Sequence, residues 1–96
     1  MEFLVRTEIT PPDLPDDKLA SLYDSERDRA RELAEAGTLL RLWRIPGRRA
    51  NYGLWSAPHA TALHDALTSL PLWPYMDIEV HPLAAHPNDP SPISLE

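Results

Sequence analysis

Residues 1–9 alternate in polarity, with Phe3, Val5 and Ile9 on one side and Glu2, Arg6 and Glu8 on the other. A period of two is that of a half-buried β-strand. Thr10-Pro11-Pro12-Asp13-Leu14-Pro15 fixes φ and removes backbone donors, which predicts a stiff connector. Asp16 or Asp17 is then offered as a helix N-cap. Over residues 18–36 the period lengthens. Leu19, Leu22, Tyr23, Ala30, Leu33 and Ala34 follow the three-four spacing of an amphipathic helix, which Gly37 is placed to end. Residues 38–45 form a second strand, apolar on both faces, with Leu40 and Leu42 on one and Leu39, Trp43 and Ile45 on the other. After the turn Pro46-Gly47-Arg48-Arg49, residues 50–56 form a third strand. It carries Tyr52 and Leu54 on one side and Asn51 and Trp55 on the other, and it closes an antiparallel hairpin. Ser56-Ala57-Pro58 starts a second helix, with Ser56 as cap and Ala60, Leu63, Leu67 and Leu70 as its buried stripe. A rigid aromatic connector, Pro71-Leu72-Trp73-Pro74-Tyr75, leads into a fourth alternating strand over residues 76–81.

The order β-α-β-β-α-β predicts an α+β, ferredoxin-like subunit: a four-stranded antiparallel sheet with two helices on one face. The domain is expected over residues 1–82. Residues 83–96 form a proline-rich extended C-terminal arm, expected to pack on a neighbouring subunit. The two apolar faces of the second strand require cover on the side away from the helices, so a homo-oligomer is expected.

Composition narrows the rest. Ninety-six residues with eleven prolines and three glycines allow one domain, and the lack of cysteine leaves no disulfide or thiolate metal site. Nine basic against fifteen acidic residues give a net charge of −6. Lys18 is the single lysine, and Arg27, Arg29, Arg31 and Arg41 lie in or just after an acidic stretch, which disfavours nucleic acid. Apolar runs are too short to span a membrane, and no signal-peptide pattern opens the chain, so a cytoplasmic protein is expected.

Glu26 falls on the apolar stripe of the first helix. A carboxylate there pairs with an arginine, reaches water at the edge of the stripe, or is desolvated toward a pKa useful for proton transfer. Arg44 shares a strand face with Leu40 and Leu42, where a guanidinium needs a carboxylate partner or an anionic ligand. The four histidines have no metal-ligand spacing, although His64 lies beside Leu63 and Leu67 at a possible pocket edge. Tyr23, Tyr52, Trp43 and Trp55 read first as core or interface filler. With no glycine-rich phosphate loop and no serine elbow, the inventory permits acid–base chemistry without a cofactor or metal.

Several segments together resemble the muconolactone Δ-isomerase family: Leu42-Trp43-Arg44-Ile45-Pro46-Gly47, Ala50-Asn51-Tyr52, Leu63-His64, Leu70-Pro71-Leu72-Trp73-Pro74-Tyr75-Met76 and His86-Pro87. The Glu26 helix ending at Gly37 matches as well. The resemblance implies a decameric, cofactor-free isomerase that moves the ring double bond of muconolactone to give 3-oxoadipate enol-lactone. It implies Glu26 as proton shuttle and Arg44 as holder of the substrate carboxylate or the developing oxyanion. Asn51 and Tyr52 would add polar contacts, with Tyr23 and His64 as pocket walls. The chain departs from the family pattern at Trp55-Ser56, where many members carry Phe-Asp, and at Tyr23, where some carry lysine. A substituted lactone as substrate, or a non-catalytic ligand-binding oligomer, are the alternative readings.

Overall fold

The computed structural model describes residues 1–91. Its elements are β1 (Glu2–Ile9), α1 (Asp16–Glu35), β2 (Leu39–Arg44), β3 (Ala50–Ser56), α2 (Ala60–Thr68) and β4 (Met76–Leu83), with a 3-10 turn at Trp73–Tyr75. The strands form one sheet in the order β2-β3-β1-β4, and every pairing is antiparallel. This is the ferredoxin-like arrangement.

Register assigns the faces. Phe3, Val5 and Thr7 of β1 stand opposite Trp55, Gly53 and Asn51 of β3, and Leu42 and Arg44 of β2 continue the second and third of these rows. This face looks toward the helices. Phe3, Val5, Trp55 and Ala57 pack there with Leu33 of α1 and with Leu63, Leu67 and Leu70 of and after α2. Ala62 and Ala66 join that core while Ala60, expected on the buried stripe, is exposed.

A bulge between Leu39 and Arg41 alters the expected second strand. One extra residue restores phase, so Leu39 joins Leu42 on the helix side. Leu40, expected beside Leu42, is exposed at the bulge, and Arg41 and Trp43 face away from the helices.

Helix ends also differ from expectation. Pro15 occupies the N-cap of α1, and its carbonyl accepts from Leu19 N–H at 2.9 Å. Asp16 and Asp17 instead fill the first turn, where carboxylates complement the positive end of the helix dipole. Ser56 does not cap α2 because it remains paired to Glu2 in the sheet. His59 takes that role, its Nδ1 accepting from Ala62 N–H at 3.1 Å. Gly37 does end α1: its N–H reaches Ala34 O at 3.0 Å, Thr38 N–H reaches Leu33 O at 2.9 Å, and its φ is +80°. These two bonds are those of a Schellman motif.

β4 continues through Pro82 to Leu83, two residues past the expected end. It pairs with β1 alone, so the missing proline donor can sit on the strand's free side. Of the expected arm over 83–96, Leu83 therefore closes the sheet and 84–91 are exposed, while 92–96 lie outside the described residues.

Candidate active site

Between α1 and the sheet lies a small open cavity of about 50 Å³. Thr7, Asn51, Gly53 and Trp55 give it a sheet wall, and Glu26 and Ala30 of α1 lie across from them. Leu42, 54 % exposed on the edge strand β2, borders the same space. Leu70 and Met76 add apolar surface.

The helical stripe sets Glu26 into this gap, and its surroundings define its chemistry. The Leu72 N–H donates to Glu26 Oε1 at 2.8 Å. No basic side chain forms an ion pair with Glu26 among the described residues, which leaves Oε2 without a protein partner. Burial pushes the carboxyl above its ordinary pKa, and the Leu72 N–H offsets only part of that rise. A half-buried carboxylate on the lining of a mostly apolar cavity, with one oxygen pinned and the other without a protein partner, is arranged to exchange a proton.

Leu72 is fully buried, and its N–H is aimed by the turn that follows α2. The approach of that turn to α1 is braced by Arg29. Its Nε donates to Ser69 Oγ at 3.0 Å and its Nη1 to Glu32 Oε1 at 2.9 Å.

The expected site residues separate into groups. Glu26 and Asn51 line the cavity. Arg44 stands opposite Asn51 in register, on the helix side of the edge strand, exposed and without a side-chain partner among the described residues. It is not in the cavity wall, and it makes no ion pair with Glu26. Tyr23 is half-buried on α1 one turn before Glu26, outside the lining, and His64 is exposed on α2. Tyr52 lies on the opposite face of the sheet from Glu26 within this chain, because strand alternation turns it away from its neighbour Asn51.

Three contributors carry no signature in the sequence pattern. Thr7 is a buried polar residue in the wall beside Asn51, the Leu72 N–H is a backbone group, and the Trp55 indole carries a polar edge.

The far sheet face carries a separate ionic cluster. Glu8 accepts from Arg48 at 2.7 Å and from Arg6 at 3.0 Å, which holds its carboxyl below the ordinary value, Arg48 contributing most. Trp43 and Tyr52 form a cross-strand pair on this face, 42 % and 39 % exposed, and Arg41 lies 4.9 Å from the centre of the Trp43 ring.

A family model described as muconolactone delta-isomerase matches residues 1–89. The muconolactone Delta-isomerase of Pseudomonas aeruginosa is 45 % identical over 78 residues, which cover 81 % of each chain. That of Cupriavidus pinatubonensis is 37 % identical over 89 residues, covering 92 % of this chain and 97 % of the relative. A crystal structure of muconolactone isomerase superposes with a TM-score of 0.86 at 42 % identity, over 95 % of this chain and 96 % of the other.

Proposed function

The chain belongs to the muconolactone Δ-isomerase family, and we propose from that premise that it converts muconolactone to 3-oxoadipate enol-lactone with Glu26 as proton shuttle. The single observation that carries the assignment of Glu26 is its placement. It is a desolvated carboxylate on a cavity, fixed by the Leu72 N–H and free of any arginine.

The reaction is a 1,3-proton shift. Glu26 as carboxylate takes the proton from C4 of the unsaturated lactone. The released electron pair forms the C3–C4 double bond, the old C2–C3 π pair moves to C1–C2, and the carbonyl pair moves onto oxygen. The resulting dienolate collapses as the Glu26 carboxylic acid returns a proton to C2. One carboxyl over one ring face serves both steps, and no electron acceptor is needed. Asn51 is a polar contact on the opposite wall, and Arg44, beside it in register, is suited to the substrate's own carboxylate by charge-assisted hydrogen bonding.

The reading includes assembly as a homo-oligomer, a decamer by family resemblance. Trp43, Tyr52 and Leu83 are large apolar side chains that one subunit leaves exposed, and the exposed stretch 84–91 beyond β4 is suited to packing on a neighbour. Tyr52, Tyr23 and His64 belong to the proposed site only where an adjacent subunit brings such side chains to a cavity mouth. No helix among the described residues is long and apolar enough to cross a membrane; the reading places the enzyme in the cytoplasm.

Purified protein mixed with muconolactone tests the function directly. The expected outcome is catalytic formation of the enol-lactone, followed by its ultraviolet spectrum and identified by proton NMR. No acceleration over buffer at micromolar protein would refute it.

A further inference from the structure

Trp55 is 4 % exposed, yet its indole N–H has no hydrogen-bond acceptor among the described residues. No buried side-chain nitrogen or oxygen among them is both sealed from solvent and unpaired. The indole nitrogen therefore meets open space, and the space that Trp55 lines is the Glu26 cavity.

Gly53 shows how the nitrogen gets there. A Cβ at residue 53 would fall 2.6 Å from Trp55 Nε1 and 3.2 Å from Cδ1. The pyrrole edge of the indole thus folds back along β3 into the room left by the missing side chain, while Trp55 packs in the core with Phe3 and Leu63. Gly53 lines the same cavity, and its φ is not in the left-handed region, so close approach is what the position requires.

A buried tryptophan N–H ordinarily finds a partner. One left facing a cavity, across from a carboxylate and beside Thr7 and Asn51, is a donor with room for a ligand oxygen. Removing a proton next to a conjugated carbonyl moves charge onto that carbonyl oxygen, and a preorganised neutral donor stabilises it without competing for the proton.

We infer that the Trp55 indole N–H donates a hydrogen bond to the carbonyl oxygen of the unsaturated lactone and stabilises the dienolate, with Gly53 the positioning residue that admits it. The identity of the reacting molecule rests on the proposed isomerase reading; the donor assignment rests on the cavity geometry.

The test replaces Trp55 with β-(3-benzothienyl)alanine, which exchanges N–H for sulfur at nearly constant shape. With muconolactone, kcat is expected to fall about 100- to 1,000-fold, the range for loss of one such donor, while KM and the melting temperature stay close to wild type. Gly53→Ala, which pushes the indole away, is expected to lower kcat in the same direction. An isosteric variant with full kcat overturns the proposal.

A second readout is independent of turnover. In 15N-indole-labelled Glu26→Gln protein, the resonance absent from the additional Trp55→Phe variant is expected to shift on adding muconolactone or 2(5H)-furanone. If wild type fails to isomerise muconolactone, the function falls, and this resonance still decides the donor. A shift with either lactone supports it, and no shift with both overturns it.

Discussion

At the scale of single residues, the decisive balance is at Glu26. Desolvation raises its pKa from the ordinary 4.5, and the Leu72 N–H pulls the other way with the smaller effect. The folded chain therefore binds a proton at Glu26 more readily than the unfolded chain. Its contribution to stability is complete below the unfolded pKa and is lost as pH rises through the folded one. Glu26→Gln should accordingly melt no lower than wild type near pH 7, and the variant should lose the decline in stability that wild type shows as pH rises through that window. Calorimetry across pH checks both. With the Glu26 carboxylate as the proposed base, kcat/KM for muconolactone should fall as pH drops through the same raised pKa, giving an acidic limb above the usual carboxylate range. Arg44→Ala should act on binding, raising KM about 10- to 100-fold, as for a lost charge-assisted bond of roughly 1.5–3 kcal/mol; steady-state kinetics separates this from a kcat effect. Glu26 was legible in the sequence because helical spacing alone puts it on the apolar stripe. Alternation likewise separates Asn51 from Tyr52. The indole edge of Trp55 was not legible, since a strand pattern gives the face of a side chain but not the direction in which its ring turns over a neighbouring glycine.

At the scale of elements, the site depends on where α1 and the turn after α2 meet. Arg29 ties α1 to Ser69, three residues before the Leu72 N–H that orients Glu26. Ser69→Ala removes the neutral oxygen from an exposed contact, so the cost in stability should stay near 1 kcal/mol or below, measured by urea unfolding. At the far end of α1, Gly37 holds φ +80° with nothing within 4 Å of where a Cβ would sit. Gly37→Ala should destabilise by about 1 kcal/mol through backbone strain alone, visible as a lower urea midpoint at fixed protein concentration. Element type and order followed from periodicity, and so did the Gly37 stop. The caps did not. Ser56 reads as a cap locally, but pairing with Glu2 keeps it in the sheet, and that partner lies far away in sequence. The bulge at Leu39/Arg41 and the run of β4 through Pro82 were hidden for the same reason, since each is set by the neighbouring strand.

At the scale of the whole molecule, a sheet covered on one face by two helices leaves Trp43 and Tyr52 uncovered on the other, with the Glu8–Arg6–Arg48 cluster beside them. For a chain of 10.9 kDa without cysteine, the proposed contacts between subunits would supply further buried area. Light scattering should return a mass several-fold above 10.9 kDa at micromolar concentration; a folded 10.9 kDa particle would refute the assembly. The mass also serves as the control for the central claim, that a half-buried carboxylate facing the helix–sheet cavity carries the proton. The direct measurement is kcat/KM for muconolactone with Glu26→Gln against wild type, both at the same oligomeric mass. A fall of at least about 100-fold, the lower end for loss of a general acid–base, is the result this account predicts; a Glu26→Gln protein as active as wild type would contradict it.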